Sequence, residues 1–343
     1  MEYKKPQATI IQGNVGIYPL TTADQVILAD GTRLEKDGKI NVDVANSANS
    51  AKLGGKAPEY YIQPRNLLDN SDFRNPVNQR GATSYTGAGY TIDRWYGRAN
   101  AQSVEVRNDD VTVTANGLAY VGIKQKITNI DRLAGKTVTL ATYVYSTVGV
   151  AVGFTDADDN AISETVDDIR SGSRVILCTC TVPSNATPDT FIPRILLRTT
   201  AQNDYMRCYW AALYEGSYTA ETLPPYVPKG YAAELAECQR YYYQSWTDSS
   251  ANTFNGVIIR EAISLSRATN VVFPQTMRIS NPTVTLYSPS TGNTGKASEF
   301  ISDTEIDASS VYLSRNGFTL SSPASAFEIG KHYCIHYSVS ADL

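Results

Sequence analysis

The stretch NLLDNSDF, Asn66 to Phe73, together with IDRW, Ile92 to Trp95, marks where the chain changes character. Before Asn66 the residues are small, polar and turn-rich. After Trp95, short segments of alternating apolar and polar residues follow one another. Asp69, Asn70, Ser71 and Asp72 carry short side chains that accept hydrogen bonds from nearby backbone N–H groups and hold a turn. Phe73 and Trp95 bring large apolar surfaces to the two ends of a polar, glycine-containing loop from Asn75 to Tyr90, and such rings anchor small β cores.

Beyond this anchor the pattern is that of strands. In VTVTANGLAYVGI, Val111 and Val113 alternate with Thr112 and Thr114 before Asn116-Gly117, and Leu118 and Tyr120 alternate after it, which predicts a hairpin. VTLATYVYS, FIPRILLRTT and YMRCYWAALYEG add further strands, so a two-sheet sandwich is expected rather than a helical or α/β fold. Leu235, Cys238 and Tyr242 recur at helical spacing in AAELAECQRYYYQ, predicting a helix over Ala232 to Gln244 with Glu234, Glu237 and Arg240 on its polar face. Asn255-Gly256 and Asn316-Gly317 predict two hairpins in the C-terminal part. The polar loop from Ser288 to Glu299 holds almost no bulky residue and is expected on a surface.

The leader divides into pieces. Asp30-Gly31 is a turn signal between the short apolar runs QVILA and TRL. VANSANSAKLGGK is too poor in bulky side chains to fold alone and reads either as a linker or as a segment that winds with other copies.

Composition narrows the function. A chain of 343 residues has room for two or three domains, and a net charge of −4 argues against a nucleic-acid surface. Only 2 His are present against 23 Tyr, which disfavours acid–base and metal chemistry and favours sheets and adhesive surfaces. The 5 Cys have no zinc-type spacing, and Cys178 and Cys180, two apart on a strand, are read as reduced residues lining one sheet interior. There is no signal-peptide-like apolar run and no membrane-length apolar segment, so a cytoplasmic site of synthesis is expected.

Three groups raise chemical questions. Asp156, Asp158 and Asp159 cluster as calcium ligands do, but without EF-hand spacing, so a solvated hairpin tip explains them equally well. His332, Cys334 and His336 alternate onto one face of the last strand. They read as metal ligands if several chains met at an axis, and otherwise as a polar outer face opposite a core of Tyr333, Ile335, Tyr337 and Val339. Asp167 with Asp168, and Glu234 with Glu237, lack the partner pattern of a glycosidase and read as exposed charges. No cofactor and no catalytic centre are expected.

Several segments, taken in order, resemble one family. NLLDNSDF with IDRW, KITNIDRLAGKTVTLATYVYS (Lys126 to Ser146) and YWAALYEGSYTAETLPPYVP (Tyr209 to Pro228) resemble the jelly-roll, carbohydrate-binding-module-like domain of tail fibre and receptor-binding proteins of tailed bacteriophages. FPQTMRISNPTVTLYSPSTGNTGK and HYCIHYSVSADL resemble the small β head at such a fibre's tip, and DQVILADGTRL and AKLGGKAPEYY resemble segments near its attachment end. The resemblance implies an all-β protein with a virion-attachment leader at 1–65, a jelly-roll-like β-sandwich at 66–230, a linking helix at 231–245 and a small β-sandwich head at 246–343. It further implies a homotrimer held in the phage tail or baseplate through the leader, made in the bacterial host's cytoplasm, and binding a host-surface glycan without catalysis. A purely structural tail component and a polysaccharide depolymerase are the alternatives. The expected receptor surface is Tyr287, Ser288, Ser290, Thr291, Asn293, Thr294 and Lys296, on the terminus opposite the attachment end.

Overall fold

The computed structural model describes residues 64–342 apart from 100–101, 118–119, 200, 248–249 and 324, together with three two-residue strands in the leader. The chain divides into two compact units, Met1–Gln63 and Pro64–Leu343. In the first, β1 (Val26–Ile27), β2 (Arg33–Leu34) and β3 (Ile40–Asn41) form an antiparallel sheet. Asp30-Gly31 and the VANSANSAKLGGK segment lie outside the described residues.

The second unit opens with twelve strands. They are β4 (Ser84–Thr86), β5 (Gly89–Tyr90), β6 (Tyr96–Gly97), β7 (Gln102–Val106), β8 (Val111–Ala115) and β9 (Val121–Lys124). After a 3-10 turn at Ile130–Leu133 come β10 (Thr137–Ser146), β11 (Val150–Thr155), β12 (Ala161–Asp167), β13 (Gly172–Thr181), β14 (Ile192–Leu197) and β15 (Tyr205–Glu215). They make two six-stranded sheets, ordered β13-β10-β15-β8-β7-β4 and β12-β11-β14-β9-β6-β5. The chain passes repeatedly from one sheet to the other, as in a jelly roll.

Period-two alternation fills the space between the sheets. Val104, Val111, Val113, Leu140 and Val144 point inward from the first, and Ile123, Val152, Phe154, Ile195 and Leu197 from the second. Cys178 is buried in this core and Cys180 packs at its margin, both as free thiols.

One predicted hairpin is not formed. β8 and β9, either side of Asn116-Gly117, lie in different sheets and face each other across the core. Alternation reports that one face of each strand is buried, and says nothing about which neighbour it bonds. The observed hairpin is β7–β8, closed by the Arg107 N–H donating to Asp110 O at 2.9 Å.

The helix is also shorter than its periodicity suggests. α1 spans Tyr231–Cys238, and the tyrosine-rich continuation becomes β16 (Tyr242–Gln244), which pairs with the last strand. β-favouring tyrosines beside an available strand edge prevail over helical spacing here. Glu234, expected on an exposed face, is buried.

The remaining strands are β17 (Ile258–Ser264), β18 (Arg267–Val272), β19 (Thr283–Tyr287), β20 (Lys296–Glu299) and β21 (Glu305–Asp307). β22 (Ser309–Ser314), β23 (Gly317–Ser321) and β24 (His332–Ser340) follow. β24 is the hub, pairing with β16, β17, β19 and β20. A second core gathers around Phe273, Met277, Phe318, Phe327, Ile335 and Tyr337.

Of the two Asn-Gly hairpins expected here, only β22–β23 occurs, with Ser314 opposite Gly317. Gly256 has a φ of +73° in a turn that leads into β17. β17 instead turns back into β18 through Leu265 and Ser266.

Candidate functional site

Asn70 is the node of the opening stretch. In the left-handed region at φ +51°, its side-chain amide donates to Val77 O and Asp93 O, each at 2.8 Å. Its Oδ1 accepts from the Val77 N–H at 2.7 Å, and its backbone carbonyl accepts from Trp95 Nε1 at 2.8 Å. Trp95 meets Phe73 edge to face with centroids 5.0 Å apart. Thus NLLDNSDF clamps IDRW, and the clamp sets the tight turn that joins β5 to β6.

That turn has a consequence for the surface. Thr91 N–H bonds Trp95 O at 2.9 Å, which places Tyr90 directly opposite Tyr96. Paired residues share a sheet face, so both rings project from the outer face of the second sheet and meet edge to face at 5.4 Å. The same rung continues through Lys124, Arg194, Gly153 and Glu164. A Cβ on Gly153 would lie 2.1 Å from Ser163 O, so glycine is needed where β11 and β12 approach. Arg194 crosses above it to Glu164 at 2.7 Å.

The Asp156–Asn160 turn folds over the polar end of this rung. Asp159 accepts from Lys124 at 2.8 Å and lies 3.4 Å from Arg98, and its backbone carbonyl accepts from Arg194 Nη1 at 2.9 Å. The aromatic end opens into a recess of about 250 Å³ lined by Tyr90, Tyr96, Lys124, Lys126, Asp189 and Ile192. Asp189 pairs with Lys126 at 2.5 Å. Two ring surfaces beside fixed donors and acceptors suit an amphipathic ligand with apolar faces and hydroxyl edges. Asp159, Asp189 and Glu164 each face a cation.

Behind the recess lies a buried charged seam. Arg94 stacks on Tyr241 at 3.5 Å, pairs with Asp69 at 3.2 Å and donates to Lys126 O. Asp93 accepts from the Gln79 N–H at 2.6 Å, and Arg80 stands 3.6 Å from Asp93 and 2.7 Å from Asp342. Burial pushes the Asp93 carboxyl up to about 6, against the opposing pull of Arg80. Glu234 accepts from the Asn70 N–H at 2.5 Å, and burial raises its carboxyl too.

The residues singled out in the sequence occupy other places. Ser288 is fully buried, its hydroxyl bonded to Ser290 and Ser298 at 2.9 and 2.7 Å, and Pro289 and Ala297 to Glu299 are also buried. The flanks of the expected surface loop therefore belong to the interior, because serine hydroxyls that bond one another can be buried. Thr291 and Asn293 both donate to Glu305, Lys296 pairs with Asp307 at 2.8 Å, Thr294 is exposed, and Tyr287 meets Trp246 edge to face at 5.0 Å.

His332 is exposed, but Cys334 and His336 are fully buried, so this face of β24 is not the polar outer face expected. A second layer covers it. His336 Nε2 donates to Thr253 O at 2.8 Å and Nδ1 accepts from Ser245 at 2.9 Å, the neutral tautomer that burial favours. Asp156 accepts from the N–H groups of Asp158 and Asn160 at 2.9 and 2.8 Å, holding a turn. Among the described residues no group of three His, Cys, Asp or Glu side chains is arranged to hold a metal ion. Asp167 accepts from Arg174 at 2.9 Å.

Tyr90 and Tyr96 were not reached by reasoning from sequence. The available signal was GYTIDRWYG itself: two tyrosines symmetric about a clamped turn must fall opposite each other on one face.

No protein-family model matches the chain, and no curated protein matches it. Similar solved structures include CBM4, 14% identical over 43% of this chain and 99% of its own, with a TM-score of 0.31. A CBM29-2 mutant complexed with cellulohexaose is 9% identical over 41% and 94%, with a TM-score of 0.30. A putative sugar binding protein from Bacteroides thetaiotaomicron is 12% identical over 44% and 100%, also with a TM-score of 0.30.

Proposed function

We propose that this chain is an adhesin that binds a saccharide through the outer face of its second sheet, without catalysis. The observation that carries this reading is the single rung Tyr90, Tyr96, Lys124, Arg194, Gly153, Glu164, which places ring surfaces and fixed polar groups along one line beside a recess. Sugar rings present apolar C–H faces to aromatic side chains and hydroxyls to charged ones, and this line offers both. Binding of the full chain to host-cell polysaccharide, compared with Tyr96→Ala, tests it. Reducing-sugar release in the same mixture would instead reveal a depolymerase.

The resemblance of the opening stretch, strand pairs and head to phage tail fibres supports a finer reading, a tail fibre or tail-tip protein anchored in the virion by its leader and working as a homotrimer. Ile263, Leu265 and Ile329 are exposed beside the β17–β18 turn, where Phe327 N–H bonds Leu265 O and Gly330 N–H bonds Ala262 O. An apolar cluster of this kind suits association between copies. The loop bearing Tyr287, Thr291, Asn293, Thr294 and Lys296 is a secondary contact surface in this reading, with Thr294 its most available group.

A further inference from the structure

A second recess, of about 270 Å³, opens where the Pro64–Asp69 segment, the 3-10 turn, the end of α1 and Arg278 meet. Four arginines converge on it, Arg65, Arg132, Arg240 and Arg278, against the carboxylates of Asp69 and Glu237. Asp69 is already engaged by Arg94 at 3.2 Å and Lys229 at 3.5 Å. Glu237 holds Arg240 at 3.3 Å in a largely solvated pair, and Arg278 Nε donates to Ala341 O at 3.2 Å. Arg65 and Arg132 are exposed, and among the described residues neither side chain has a hydrogen bond or an ion pair. In a chain of net charge −4, the four arginines outnumber the two carboxylates of this recess, and a further anion relieves their mutual repulsion.

The rest of the wall is not merely charged. Tyr241 is fixed by the Arg94 guanidinium over its ring and by a 2.6 Å hydrogen bond between its hydroxyl and Thr128. Ile127 and Leu133 are buried beside it and give an apolar side. Guanidinium groups present planar forks that match carboxylate and phosphate oxygens in pairs, and a neighbouring apolar wall favours an anion carried on a ring over a free, fully hydrated ion.

We infer that this recess binds the acidic group of a saccharide unit, a uronate carboxylate or a sugar phosphate, with Arg65 and Arg132 as its direct partners. That the anion belongs to a saccharide rests on the adhesion reading above, but the anion site itself does not. Because both arginines are exposed and unpaired, removing them leaves the fold intact.

Titration calorimetry of the full chain with glucuronate and, separately, inorganic phosphate tests this. Wild type binds at least one anion, more weakly as salt is raised. The Arg65→Ala/Arg132→Ala variant loses roughly tenfold or more in affinity with an unchanged unfolding midpoint. Glucuronate binding without phosphate identifies a carboxylate as the ligand, and the reverse identifies a phosphate. Tyr96→Ala leaves anion binding unaltered, so failure of the first recess is separable from failure of this one. No binding of either anion by the wild type, or equal affinity in the double variant, overturns the inference.

Discussion

Replacing Asn70 by alanine removes the node on which the candidate saccharide site depends. The side chain satisfies three buried backbone groups, Val77 O, Asp93 O and Val77 N–H. Val77 O keeps the Asp93 N–H at 3.2 Å, but Asp93 O and the Val77 N–H lose their partner, and both residues are fully buried, so water does not replace it. Each orphaned group costs about 1–3 kcal/mol. Alanine must also hold a φ of +51°, which costs about 1 kcal/mol relative to glycine. A total loss of about 5 kcal/mol follows, comparable with the whole stability of many domains. Urea unfolding followed by tryptophan fluorescence measures it, since Trp95 is buried against this node. Asn70→Gly restores the backbone but not the hydrogen bonds, so it should recover only about 1 kcal/mol of the loss. Asn70→Asp keeps an acceptor for Val77 N–H but sets a carboxylate against two carbonyl oxygens, and should be no better than alanine. A loss below about 1.5 kcal/mol for Asn70→Ala would refute the clamp as the organiser of the turn.

The remaining expectations are more local. Burial raises the Asp93 carboxyl from 3.8 to about 6, so the folded state holds its proton more tightly than the unfolded chain. The stability this contributes is fully present below the unfolded value and is lost as pH rises through about 6. Asp93→Asn should therefore gain on wild type by on the order of 2–3 kcal/mol between acid and neutral pH in denaturation midpoints, and a pH-independent difference would contradict this. If the exposed Ile263, Leu265 and Ile329 cluster is an association surface, mass photometry should give a trimer, and Leu265→Lys should shift it to smaller species. A wild-type monomer at micromolar concentration would count decisively against it.

Alternation and aromatic anchoring made the β class legible, since Val111, Val113, Leu140 and Ile195 had to face an interior. They could not assign partners: the strands flanking Asn116-Gly117 obey the same period whether they lie side by side or face each other across a core. The tyrosines that end the predicted helix and begin β16 show a similar limit, because helical spacing and strand propensity coexist there and only the open edge of β24 decides. His336 and Ser288 look like surface polar groups in sequence. Each is buried because a specific partner, Thr253 O or the Ser298 hydroxyl, satisfies it. The rung itself depends on cross-strand register between β5, β6, β9, β14, β11 and β12, segments scattered from Tyr90 to Glu164 and Arg194. Sequence spacing does not encode that register.

The most direct measurement is the affinity of the 343-residue chain for purified host-surface polysaccharide, compared between wild type and Tyr96→Ala at matched stability. Removing one ring of the rung costs about 1–2 kcal/mol of stacking and contact, so binding should weaken roughly tenfold with no product released. Undiminished binding by Tyr96→Ala, alongside loss on changing Thr294 and its loop, would move recognition to the head and contradict the assignment to the second sheet.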